Sequence, residues 1–166
     1  MKIITDSREN RNQKVLEAFC RKGIDFKVKK LDFGDYSIEG HENKIIVERK
    51  GSLTELAGNF CQGRTRFEAE FIRAKEAGAK MYLLIEDEKA RDKMALRQKM
   101  DTDKVPDKIK FAKTWRSGFS GNSMVASIWS WMKKYEFEII FCSKGKSGEK
   151  IIEIFNTYLE QNSTLN

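Results

Sequence analysis

Short apolar runs alternate with stretches of helical spacing along most of this chain. Residues 2–5 read as a first strand, and residues 12–22 as a helix with Val15, Leu16 and Phe19 on one face and Gly23 as its stop. Phe26-Lys27-Val28 alternates as a second strand. Tyr36-Ser37-Ile38 and the run 44–47 are predicted to pair across a turn at Glu39-Gly40-His41-Glu42-Asn43. Ser52 followed by Glu55 is a capping box, so a helix is expected from 53 to about 60 with Leu53, Leu56, Ala57 and Phe60 inward. Another follows from about 65, with Phe67, Phe71 and Ala74 on its apolar face and Gly78 at its end. Residues 81–85 are apolar throughout, as a central strand is. Beyond it the pattern predicts a charged helix over 89–100 and a long connection over 101–119. Then come a helix capped by Asn122 or Ser123 and running to about 135, a short strand over 137–142, and a last helix from Ser147 to about 159. The last helix carries Ile151, Ile152, Ile154, Phe155 and Leu159, a face broad enough for the sheet on one side and a partner on the other. Strands alternating with helices argue for an α/β fold with a mixed central sheet flanked by helices. One domain is expected over 1–160, with a frayed tail over 161–166.

One strand ends unusually. The apolar run Ile45-Ile46-Val47 passes straight into Glu48-Arg49-Lys50. Side chains alternate along a strand, so Glu48 and Lys50 share one face and Arg49 takes the other. A strand running out into solvent explains three charges equally well on these residues alone. The hairpin changes the balance, because it brings Asp35, just before Tyr36, toward Glu48 at one end of the sheet. Two carboxylates in reach of one site repel unless a cation lies between them, and Mg²⁺ is typically held by one or two carboxylates plus waters.

Charge and cysteine content narrow the partners. The 166 residues are 40% hydrophobic and 34% charged, with a net charge of +7. A basic excess spread along the whole length favours a polyanionic partner, chiefly nucleic acid, over a basic tail. Cys20, Cys61 and Cys142 are far apart, there is no CxxC, and His41 is the single histidine, so a zinc site is not expected. Cys20 and Cys142 lie in apolar surroundings and read as packing residues in a reduced chain. No apolar run is long enough to span a membrane and no signal peptide is visible, which gives the expectation of a cytoplasmic or nucleoid-associated protein.

Gly34-Asp35, a spacer and then Glu48-Arg49-Lys50 resembles the signature of the XPF-like structure-specific endonucleases. Ile3-Ile4-Thr5-Asp6-Ser7-Arg8-Glu9 is similar to that family's first strand with its D-x-R-E ending, and Leu31 to Tyr36 to its approach to the Gly-Asp pair. Gly63-Arg64-Thr65-Arg66-Phe67 resembles its basic segment, and Tyr82-Leu83-Leu84-Ile85-Glu86 its next core strand. The resemblance covers residues 1–86 well and the rest loosely. It implies a restriction-endonuclease-like core and Mg²⁺-dependent hydrolysis of DNA, with Mn²⁺ able to substitute, on branched, flap or junction substrates.

On that resemblance Asp35 and Glu48 hold the metal with the backbone carbonyl of Arg49, and Lys50 orients the attacking water or balances phosphate charge. Asp6 and Glu9 correspond to acidic positions near the metal, and Arg8 to a phosphate or carboxylate partner. Arg49 itself is expected in an ion pair. Arg64 and Arg66 either position substrate phosphate or pair with Glu68 or Glu70. Lys110, Lys113 and Arg116, interleaved with Phe111, Trp115 and Phe119, suit a nucleic-acid strand. A short amphipathic helix with aromatics in the core reads equally well there. No small-molecule cofactor is expected. Family nuclease domains pair through their own surfaces, which implies a homodimer. They often carry a helix-hairpin-helix module after this domain; the expectation for this sequence is the nuclease domain without that module, so the resemblance does not say how it finds its substrate. Where the family signature continues to an aspartate four residues after Lys50, this chain has Thr54, with Glu55 next. The rival expectation is a catalytically weak or inactive DNA-binding scaffold that keeps the fold.

Overall fold

The structure is a computed structural model that describes residues 1–87 and 118–163. Its strands are β1 (Lys2–Thr5), β2 (Asp25–Val28), β3 (Tyr36–Ile38), β4 (Ile45–Lys50), β5 (Lys80–Ile85) and β6 (Glu138–Phe141). Its helices are α1 (Gln13–Arg21), α2 (Leu53–Cys61), α3 (Arg64–Glu76), α4 (Gly121–Tyr135) and α5 (Ser147–Ser163). The strands form one sheet in the order β2-β1-β3-β4-β5-β6. Neighbours run parallel except at β3, which is antiparallel to both β1 and β4. The C-terminal ends of β1 and β4 therefore lie along the same edge of the sheet as the start of β3.

Alternation along β4 divides the core. Ile46 faces a cluster built by α2, α3 and α4, where Phe60, Phe67, Phe71 and Trp131 interlock. Ile45 and Val47 face the opposite cluster, built by α1 and α5. The strand is expected to end on Glu48-Arg49-Lys50, with exposure of the three charges to solvent as one reading. In the structure β4 stays in register with β5 to the Lys50–Ile85 pair, so all three charged residues are inside the sheet and buried. Parallel pairing to β5 satisfies the backbone there, which lets the strand outlast its apolar run.

Several local expectations shift. Ser120 caps α4, its hydroxyl accepting the Ser123 N–H, in place of Asn122 or Ser123, because the helix begins two or three residues earlier, at Gly121. The capping box of α2 is displaced. Ser52 accepts the Glu55 N–H, but the Glu55 carboxylate reaches the N–H of Gly51, one residue before the cap. Cys142 is buried as expected, whereas Cys20 is exposed on the outer side of α1. Helix α5 continues to Ser163, past the expected 159 and into the segment expected to fray. It lies on α1 so closely that a Cβ at Gly148 would fall 2.5 Å from Ala18 Cβ and 2.9 Å from the Val15 carbonyl oxygen. The expected helix over 89–100 lies outside the described residues, as does nearly all of the connection over 101–119.

Candidate active site

Three strand ends meet where β3 begins. Asp35 donates its N–H to the Val47 carbonyl of β4 at 3.0 Å and accepts the Asp6 N–H just past β1 at 2.8 Å. The Asp35 backbone is thus part of the sheet, and its carboxylate accepts the Arg49 N–H at 2.7 Å. The turn before it needs glycine. Gly34 has φ +69°, and a Cβ there would come within 2.6 Å of Ile46 Cγ2.

Asp35, Glu48 and Lys50 line one cavity of about 270 Å³ together with Asp6, Arg8, Arg66, Asn59 and Glu70. Burial raises the Asp35 carboxyl well above the usual aspartate range and Glu48 adds to the rise, while Lys50 and the Arg49 N–H oppose it. The Glu48 carboxyl is raised too, by burial first, against the pull of Lys50. Lys50 Nζ lies 2.7 Å from Glu48 Oε1, 3.8 Å from Glu55 Oε1 and 4.9 Å from the Phe67 ring centroid. Burial pushes the lysine down, but Glu48 and Asp35 more than offset it and keep the ammonium charged.

Arg49 projects from the other face. Its guanidinium donates to Glu9 Oε1 at 2.9 Å, to the Arg11 carbonyl at 2.7 Å and to Glu86 Oε1 at 3.1 Å. Glu86 also accepts the Ser147 hydroxyl at 2.6 Å and the Gly145 N–H at 3.1 Å, tying β4 to the start of α5.

The remaining acidic positions are engaged differently. Asp6 accepts four hydrogen bonds, from the Arg8 N–H, Nε and Nη2 and from the Leu31 N–H. Burial raises its carboxyl, but these bonds outweigh it and hold Asp6 below the ordinary range. A carboxylate has about four acceptor positions, so ligation by Asp6 needs one of these partners displaced. Glu9, expected near the metal, pairs with Arg49 on the opposite face of β4. Arg8 lines the cavity while bound to Asp6 and to the Leu31 carbonyl at 2.9 Å.

The basic segment after α2 divides. Arg66 is exposed and lines both this cavity and an adjoining one of about 650 Å³ that runs along the end of α2 and the start of α3. Arg64 lines the second cavity, with its guanidinium over the rings of Trp131 and Phe60 at 5.1 and 5.7 Å. Neither pairs with Glu68 or Glu70. Glu68 takes Tyr135 and Lys134, and Glu70 takes Arg73 and the Gly34 N–H. Lys110, Lys113 and Arg116 lie outside the described residues, as do Phe111 and Trp115. Phe119 is described and packs on Phe60, on the core side of the two readings.

Sequence reasoning had Glu70 only as a surface partner of Arg64 or Arg66 and Glu86 only as the end of a core strand, and it did not single out Asn59. Glu70 left one trace: it falls between Phe67 and Ala74 at the spacing of the buried helix face, where a carboxylate needs a reason.

Asp35 and Glu48 are hard oxygen donors that share a cavity, and the Glu48 charge adds to the rise of the Asp35 carboxyl, so the residues fit a divalent cation such as Mg²⁺. Among the described residues no group of three or more His, Cys, Asp or Glu forms a metal cage. An open carboxylate pair suits an ion that keeps several waters. Also among the described residues, no helix is long and apolar enough to cross a membrane.

A sequence model of the ERCC4 domain matches residues 5–155 of this chain. Among solved structures, the chain is similar to XPF from Aeropyrum pernix, with a TM-score of 0.65 at 20% identity over 99% of this chain and 68% of that one. It is similar also to XPF from Aeropyrum pernix in complex with DNA, with a TM-score of 0.64 at 20% identity over 96% of this chain and 66% of that one. The chain thus spans about two thirds of the length of those relatives. A search of curated proteins gave no match.

Proposed function

The chain belongs to the ERCC4 domain family, with the XPF-like nuclease fold, and on that premise we propose that it is a metal-dependent DNA endonuclease acting on branched, flap or junction DNA. The observation that carries the reading is the convergence of Asp35 and Glu48 on one cavity, with the Lys50 ammonium 2.7 Å from Glu48 and Arg66 at the rim. The existence of an XPF relative in complex with DNA supports DNA as the partner.

Asp35 and Glu48, with the Arg49 carbonyl, are the groups that would hold Mg²⁺ or Mn²⁺. When bound, the cation polarises the scissile phosphate and lowers the pKa of an attacking water. Lys50 stays protonated in the buried site, so it can orient that water or offset the charge growing on the phosphate oxygens. Arg66, exposed at the rim, offers a guanidinium to the phosphate of the strand being cut. Arg49 positions β4 from behind and takes no part in the chemistry. Asp6 and Arg8 serve chiefly as a pair that fixes the loop leading to Asp35. Pairing of two nuclease domains into a homodimer belongs to the same proposal.

Thr54, at the place of the family's aspartate, favours a second reading in which the chain is a DNA-binding scaffold with weak or no cleavage. Pure protein incubated with labelled linear, flap and four-way DNA, in Mg²⁺, Mn²⁺ or EDTA, decides between them. Metal-dependent cleavage of a branched substrate is expected. Binding without cleavage in either metal moves the scaffold reading ahead.

A further inference from the structure

The loop that delivers Asp35 is held from two directions. On the β1 side, Asp6 accepts the Leu31 N–H at 2.6 Å and Arg8 donates to the Leu31 carbonyl. On the α3 side, Arg73 Nε donates to the Asp32 carbonyl at 2.9 Å, and Glu70 Oε2 accepts the Gly34 N–H at 2.8 Å. Glu70 and Arg73 also pair with each other at 3.3 Å, one helical turn apart. Past Gly34 the chain is fixed by the sheet, through both backbone groups of Asp35. Before it, the Phe33–Gly34 peptide, which feeds the turn into Asp35, is anchored by Glu70.

Gly34 has little freedom of its own here. Its positive φ, and Ile46 standing 2.6 Å from where a Cβ would be, keep the turn close against β4, and its N–H faces Glu70 of α3. An N–H in that place needs an acceptor. The Glu70 side chain, 16% exposed, supplies one and lines the same cavity as Asp35 and Glu48.

We infer that Glu70 is a positioning residue for the metal-binding carboxylate of Asp35, acting through the Gly34 amide with Arg73 as its brace. The inference rests on the metal-dependent reading above and goes beyond it, because it assigns a role to a residue outside the Gly34-Asp35 and Glu48-Arg49-Lys50 motifs. The role depends on reach and on an acceptor oxygen, and not on negative charge. Glutamine keeps both. Aspartate keeps the charge but is one methylene too short.

The test is Mn²⁺ binding to the full chain by isothermal titration calorimetry, with thermal unfolding and flap-DNA cleavage measured on the same samples. Glu70→Gln is expected to bind Mn²⁺ and cut as the parent does. Glu70→Asp and Glu70→Ala are expected to weaken Mn²⁺ binding about 10- to 100-fold, the usual effect of losing an outer-sphere hydrogen bond. The Asp and Gln variants keep the comparison decisive even if the Ala variant does not fold. Parental Mn²⁺ affinity in folded Glu70→Asp overturns the positioning role alone. A loss in Glu70→Gln as deep as in Glu70→Asp overturns it in favour of direct, charge-dependent ligation. A parent protein that binds no Mn²⁺ removes the metal-dependent reading and this inference with it.

Discussion

The two faces of β4 carry adjacent charged residues and treat them in opposite ways. On one face, Arg49 is surrounded by Glu9, Glu86 and the Arg11 carbonyl, and its charge is matched more than once. On the other, the one ammonium of Lys50 lies 2.7 Å from Glu48 and 3.8 Å from Glu55, and its pull on Asp35 does not offset burial and the Glu48 charge. Charge that is matched holds elements together. Charge left unmatched in a cavity is available to an ion or a substrate. One strand thus joins a structural face to a reactive one, only a residue apart.

If this contrast is right, the reactive face governs activity and the structural face governs stability. The largest effect is expected from Asp35→Asn or Glu48→Gln, which take cleavage to background while DNA binding survives, because the basic surface is untouched. Gel-shift and cleavage assays on one preparation check this. Cutting at a near-parental rate by either variant would show that the metal assignment is wrong.

How this site could be read from the sequence depends on distance along the chain. The end of β4 and the Gly34-Asp35 turn were legible, because a hairpin of ordinary length joins them and a strand closing on three charges stands out. The sorting of Glu48 and Lys50 from Arg49 followed from strand alternation alone. Glu70 and Glu86 were not legible. Each acts through hydrogen bonds to groups dozens of residues away, and such bonds leave no periodicity. The exposure of Cys20 was missed for a related reason: an apolar neighbour in sequence, Phe19, points the other way around α1. The start of α4 was misplaced because Ser120, Asn122 and Ser123 are all capping residue types, and only packing chooses among them.

A second large effect belongs to the structural face. Arg49→Met leaves the partly buried Glu9 and Glu86 without their cation, and the loss should approach but not exceed that of breaking a fully buried pair, about 3–5 kcal/mol. Denaturant unfolding measures it. Adding Glu86→Gln should recover part of the loss, since one stranded charge is then gone. An Arg49→Met protein as stable as its parent would erase the distinction between the faces.

A smaller effect sharpens the contrast through pH. Burial and Glu48 raise the Asp35 carboxyl, so the folded metal-free protein holds that proton more tightly than the unfolded chain. This contribution favours folding below the ordinary aspartate value and is lost as pH rises through the folded-state value. In EDTA, Asp35→Asn should therefore lose less stability than the parent as pH rises from 4 to 7, an interval of about 3 units bounded by the usual carboxylate range. Parallel stability profiles for the two proteins would mean that Asp35 is not held under repulsion.

The smallest effects are expected where the family pattern departs. Glu55 accepts the Gly51 N–H at 3.0 Å at the start of α2, and its side chain is 44% exposed. A carboxylate in that role contributes about 1 kcal/mol or less. Thr54→Ala should leave cleavage nearly intact, and Glu55→Gln should lower it only slightly. Metal titration and cleavage of both check this. A fall in Glu55→Gln as deep as in Glu48→Gln would add Glu55 to the reactive face.

The close approach of α5 to α1 bears on how the protein is made. Synthesis delivers α1 early and α5 late, yet Val15 and Phe19 share a core with Ile151 and Phe155. On the ribosome, one side of the nascent sheet has half of its cover until the last helix emerges. A chain stopped before residue 147 would still carry every acidic and basic group of the cavity. It would nevertheless present the apolar backs of β3, β4 and β5 to water and to chaperones, with Glu86 deprived of the Ser147 hydroxyl at the helix start. A late stop codon is therefore expected to remove the protein through quality control, with the charged groups of the cavity still encoded.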